Sequence, residues 1–301
     1  MGYFKKYLRK INPKNPVMEE YKMLIKEKLS HKKKPDVSED KAPEGIGFYV
    51  IQKAINMKGV KVDRTEFLTK TLEGKVSPED LKNAIENGTS VDKIPLSIIQ
   101  DEAKSCINNI KGKSTCESAI TGLPGGIPGI CGGIIVDLIQ FYANLIILIQ
   151  KLVYLYGMKE ISGYGDIKEK NKDAANIILI FIGAAMGTKG ADNIVKIIMK
   201  VVQGTYIKQS GKFILFAKPL FYSIAKKVAK QIGLSISKKG FAKAAAKAVP
   251  LIGGGISAVL NYVTFSPMAN RLNRVLEKSY TEPFDENLVK QLEEKLKKKT
   301  I

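Results

Sequence analysis

The side chains with the greatest capacity for chemistry in this chain are lysines, and their spacing is regular. Lys196 and Lys200, Lys226 and Lys230, and Lys239, Lys243 and Lys247 form sets with members four residues apart, as do Lys208 and Lys212. On a helix that interval places each set on one face. A row of ammonium groups either solvates a surface or holds an anion such as a lipid phosphate. Like charges so spaced repel on an isolated helix, so the pattern requires apolar packing behind it or an anionic partner in front. From Lys189 to Pro250 there are thirteen lysines and a single acid, Asp192. A second basic set comprises Lys5, Lys6, Arg9 and Lys10. Phe4, Tyr7, Leu8 and Ile11 recur there at helical spacing, which predicts a short amphipathic helix. That helix serves either as an interfacial anchor or as a segment docked on its own domain.

Other chemistry is scarce. His31 is the only histidine and sits among lysines, which excludes a histidine metal cage and argues against a His-dependent triad. Cys106, Cys116 and Cys131 are odd in number and show no CxxC spacing, so they fit reduced thiols rather than a zinc site, an iron–sulfur site or a disulfide framework. GxSxG, HExxH, the P-loop and GxGxxG are all missing from the sequence. No catalytic residue, metal ligand or cofactor site is therefore assigned, and an enzyme is the disfavoured class. Of the 49 basic residues, only Arg9, Arg64, Arg271 and Arg274 are arginines. Sequence-reading nucleic-acid proteins rely on the arginine fork, so scarce arginine argues against that partner. A lysine-dominated charge suits anionic lipid, and fits an AT-rich genome equally well.

The polar residues inside apolar runs form a second candidate constellation. Asp137, Gln140, Asn144 and Lys151 interrupt an otherwise apolar stretch and fall on one stripe of a helix. A buried carboxylate must be paired, hydrogen-bonded or neutral. Asp137, Gln140 and Asn144 are thus expected to face Asn261 and a cation, Lys247 or Arg271, in a buried polar network. Such a network is functional or simply specifies the core. Glycines supply a third constellation. Gly122, Gly125, Gly129 and Gly133, and then Gly253, Gly254 and Gly255, are candidates for close helix packing.

The elements that must carry these residues read as all-α, a multi-helix bundle with a central apolar helix and a Gly/Pro-broken second apolar segment. The chain has 301 residues, 45% of them apolar, and a formal net charge of +20, enough for a packed core and too apolar for a disordered polycation. Residues 1–43 read as basic N-terminal helices and a linker, 44–94 as a small helical region, 95–280 as the main helical domain, and 281–301 as a charged C-terminal helix. That last helix is a cap or an oligomer contact. Ser77 with Pro78 and Asp80 predicts a capped helix start, and Asn87-Gly88 its stop. A further helix is expected from Pro95 to Ile110, ending at Lys111-Gly112. A nearly apolar helix is expected over Ile134–Tyr156, a shorter one over Ala174–Thr188, and a broken helix or re-entrant hairpin over Ala244–Val263. These segments fit a buried bundle or partial membrane insertion.

Two blocks resemble the signatures of the EcsC family. The first is Thr121-Gly-Leu-Pro-Gly-Gly-Ile-Pro with Ile135-Val-Asp-Leu138 and Leu155-Tyr-Gly157. The second is Lys247-Ala-Val-Pro-Leu-Ile-Gly-Gly-Gly-Ile-Ser-Ala-Val-Leu-Asn-Tyr262, preceded by Lys238-Lys-Gly240. The resemblance covers roughly residues 95–277. It implies a bacterial helical protein of membrane-linked setting, named for a gene beside an ABC-transporter pair, and it carries no catalytic residues across. The expected function is a non-enzymatic protein at the cytoplasmic face of the membrane, peripheral or partly inserted, and otherwise in the bacterial cytosol. It would bind anionic lipid surfaces through its lysine faces, with a membrane-transport protein as a further partner. The alternative is a permeabilising effector that inserts its glycine-rich hairpins.

Overall fold

The computed structural model describes residues 43–90, 92–121, 130–158, 170–202, 210–236, 256–283, 285, 287 and 294. Their side chains are described except at 111–121, 130–137, 170–174, 201–202, 210–219, 235–236 and 256–263. Among the described residues the secondary structure is all-α. In chain order the helices are α1 (Pro43–Ile55), α2 (Arg64–Leu72), α3 (Pro78–Asn87), α4 (Leu96–Thr121), α5 (Ile130–Leu155), α6 (Lys170–Met186), α7 (Ala191–Val202), α8 (Ser210–Ile236) and α9 (Ile256–Thr281).

The local signals act as their chemistry requires. Ser77 caps α3 by accepting the Asp80 N–H at 3.1 Å, and its hydroxyl reaches the Asp80 carboxylate at 2.6 Å. Gly88, at φ 95°, ends that helix. Asp63 caps α2 through the Glu66 N–H at 2.8 Å. One boundary differs from the sequence expectation, because α4 runs through Gly112 to Thr121 instead of stopping at Ile110. A lone helical glycine costs about 1 kcal/mol and needs a second stop signal to end a helix. The next such signal is Gly122.

The interior is organised around α5. Leu145, Ile146, Leu148, Ile149, Leu152 and Val153 are fully buried, so the helix is enclosed on several sides. It packs against α1, α4, α6 and α9, while α9 also lies on α4, α6 and α7. The C-terminal end of α5 is tied down by polar contacts. Arg64 donates to the carbonyls of Met158, Ile85 and Ala84, and the Thr89 hydroxyl donates to the Leu155 carbonyl at 2.6 Å. The buried Gln150 accepts the Val62 N–H at 3.1 Å and donates to the Val60 carbonyl at 2.7 Å. Those bonds hold the α1–α2 loop on the central helix.

The crossing of α1 and α8 brings two backbones together. A Cβ on Gly47 would lie 1.9 Å from the Ala229 carbonyl oxygen, and one on Gly233 would lie 1.7 Å from that of Pro43. The small-residue positions selected from the sequence are elsewhere. Gly122, Gly125, Gly129, Gly253, Gly254 and Gly255 lie outside the described residues, and Gly133 is in α5.

Replacing either crossing glycine should therefore be costly. Gly47→Ala and Gly233→Ala are each expected to lower unfolding stability by ~2 kcal/mol or more, because backbone must move to admit the methyl group. Gly45 is in the first turn of α1 with nothing within 4 Å of the added atom. Gly45→Ala should be neutral or raise stability by up to ~1 kcal/mol. Urea unfolding of the three variants checks the contrast.

Candidate functional site

The lysines singled out in the sequence separate into distinct neighbourhoods. Lys5, Lys6, Arg9, Lys10, Lys239, Lys243 and Lys247 lie outside the described residues, as does Lys208. Lys226 and Lys230 stand exposed on α8, beside α1. Lys196 and Lys200 are on α7, facing the end of α9.

On the α1–α8 pair, charge and exposed apolar surface coincide. Tyr222 is 53% exposed, Leu234 47% and Tyr49 41%, and these are the exposed large apolar side chains among the described residues. Tyr222, Lys226, Lys230 and Leu234 recur every four residues, a stripe that drifts about 40° per step around α8. Lys227 is exposed beside it. The Tyr222 ring stacks on Phe48 of α1 with centroids 6.5 Å apart, and the Lys53 ammonium sits 5.6 Å from the centre of the Tyr49 ring. Lys226 meets Glu44 at 3.5 Å. The Glu44 carboxyl is held below its ordinary range, first by a backbone N–H in the opening turn of α1 and then by Lys226 and Lys230. Exposed apolar side chains and ammonium groups thus share this helix pair, Tyr222 and Leu234 with the lysines of α8 and Tyr49 with Lys53 on α1.

The α7 lysines line a pocket of about 160 Å³ with Asn193, Lys278, Ser279 and Glu282. Lys196 pairs with Glu282 at 2.7 Å, and that bond leads the lowering of the Glu282 carboxyl. Lys200 is only 9% exposed, unlike an outward-facing platform lysine. Burial lowers its ammonium from the ordinary value of 10.5, and Glu282 opposes that shift.

The members of the expected polar network are spread along α5 and α9. Gln140 is half-buried and Asn144 buried, whereas Asp137 and Asn261 are placed by their helices alone. Arg271 pairs with Asp192 of α7 at 3.7 Å. Sequence reasoning passed over Gln150, which sits between two other polar positions on the same helix. It also passed over Arg64, whose rarity among so many lysines was the available signal. Among the described residues no group of three His, Cys, Asp or Glu side chains is placed to hold a metal ion. The buried Cys106 thiol is pushed up to about 11 by desolvation, which keeps it protonated and unreactive at neutral pH. No family model matches the chain, and neither does any curated protein or solved structure.

Lys200 gives a pH-dependent test. Its folded-state pKa is depressed, so folding disfavours the charged form. That cost is fully present below the folded pKa and disappears as pH rises through the ordinary value of 10.5. Lys200→Met is therefore expected to raise stability at pH 7 by about 1 kcal/mol, or ~2–4 °C in melting temperature. The gain should shrink towards pH 11. Thermal melts across that range check both sign and slope.

Proposed function

We propose that this chain is a non-enzymatic peripheral membrane protein of EcsC type that docks on anionic bilayers through the α1–α8 face. The observation that carries this reading is a coincidence of place. The exposed large apolar side chains of the described residues, Tyr49, Tyr222 and Leu234, stand on the same helix pair as Lys53, Lys226, Lys227 and Lys230. Tyrosine favours the headgroup region because its ring is apolar and its hydroxyl polar. Lysine lays its stem along apolar surface and extends its ammonium to phosphate. Each lysine near an anionic leaflet contributes about 1 kcal/mol, which salt screens.

One described helix contains a stretch, Leu138–Leu155, that is long and apolar enough to cross a membrane by length and composition. Of that stretch 72% is buried inside the fold. Docking through an outer face leaves those contacts intact, whereas insertion of α5 would break them. The face reading assigns the protein to the cytoplasmic leaflet, where anionic lipid is concentrated, with a role in supporting membrane transport or envelope maintenance.

Co-sedimentation with mixed phosphatidylcholine and phosphatidylglycerol vesicles tests the proposal. Lys226→Gln with Lys230→Gln is expected to weaken binding by roughly 10- to 30-fold at low salt. Tyr222→Ser should remove the part of the binding that survives added salt. Lys58 and Lys82 are exposed on other segments, and changing both to Gln should alter binding far less. Equal losses in the two double variants would overturn the assignment to this face. Release of an entrapped dye by the native protein would instead favour the permeabilising reading.

A further inference from the structure

A groove of about 440 Å³ opens between the C-terminal end of α6 and the middle of α9. Met186, Pro267 and Met268 give it an apolar floor, Thr264 one edge, and Arg271 with Arg274 the other. Arginine occupies only four of the chain's 49 basic positions, and two of those four meet here, three residues apart on α9. The guanidinium of Arg271 lies against Gly187. Gly187 has φ +77°, and a Cβ there would lie 2.7 Å from the Arg271 Cζ. Asp192 pairs with Arg271 at 3.7 Å and neutralises part of its charge. Arg274 is exposed at the rim, and no ion pair to it is found among the described residues.

We infer that this groove binds a single-chain amphiphile with a phosphate head. Its alkyl chain lies on Met186, Pro267 and Met268, and its phosphate is held by Arg271 and Arg274. Methionine adapts to flexible apolar chains, which suits the floor. Guanidinium matches a tetrahedral oxyanion through paired N–H donors, and two forks can share one phosphate where a carboxylate would satisfy one. Asp192 already supplies a carboxylate to Arg271, so a phosphate head is the better fit for the pair. This site is separate from the α1–α8 face and does not depend on the docking proposal.

The test is calorimetric titration of the full chain with dodecyl phosphate below its micelle concentration. Saturable one-to-one binding is expected. Arg274→Gln and Arg271→Lys should each weaken it by about tenfold or more. Inorganic phosphate should bind about tenfold more weakly, since it lacks the chain. Dodecyl maltoside, with the same chain and a neutral head, should not bind at this site. The Lys226→Gln/Lys230→Gln variant should bind dodecyl phosphate as the native protein does, which separates this site from membrane docking. Unchanged affinity in a folded Arg274→Gln variant would overturn the inference. So would equal binding of inorganic phosphate or of dodecyl maltoside.

Discussion

The arrangement depends on one constraint, the direct backbone approach of α1 to α8. Gly47 and Gly233 leave no side chain between the two helices, so the Ala229 and Pro43 carbonyls occupy the space that Cβ atoms would need. Close approach places Phe48 against Tyr222 and Glu44 beside Lys226. It also brings α8 into register with the same helix that packs on α5. Two helices more than 150 residues apart in sequence thereby become one surface. Wider separation would remove the aromatic stack and leave the α8 lysines without their acidic neighbour.

The remainder of the fold resolves a conflict between charge and burial. A net charge of +20 opposes compaction through self-repulsion, and the chain answers by enclosing an apolar α5 and sending most lysines outward. Lys200 is the exception among the described lysines, buried at 9% exposure in a pocket with Glu282. Several of the polar groups that do enter the interior are engaged. Gln150 bonds backbone groups of Val60 and Val62, and the Tyr156 hydroxyl donates to Asn273 at 2.9 Å. Such contacts fix how the helices sit on α5 more than they add net stability.

Local signals in the sequence were legible wherever the physics is local. The Ser77–Asp80 cap, the glycine stop at Gly88 and the apolar run of α5 all follow from neighbouring residues. The four-residue lysine spacing was equally plain, and Lys226 and Lys230 do share one exposed stripe of α8. What sequence could not provide was the partner across the crossing. Tyr49 and Phe48 lie in a helix whose composition looks ordinary, and Gly47 belongs to no small-xxx-small repeat, although Gly233 closes one with Ala225 and Ala229. Their significance arises only when α1 meets α8, a contact set by tertiary packing. The Arg271–Arg274 pair shows the same limit. Its rarity was visible, yet Met186 and Gly187 come to it from α6 and the turn after it.

The central claim is that the α1–α8 face is the surface that meets the bilayer. Tryptophan is absent from the chain, so Tyr222→Trp creates a single fluorescent reporter on that face. With anionic vesicles containing bromine-labelled acyl chains, the account predicts a blue-shifted emission at position 222 and strong quenching. A reporter introduced as Lys82→Trp, on α3, should stay water-exposed and unquenched while the protein remains bound. Quenching at position 82 but not at 222, with both proteins bound to the vesicles, would contradict it.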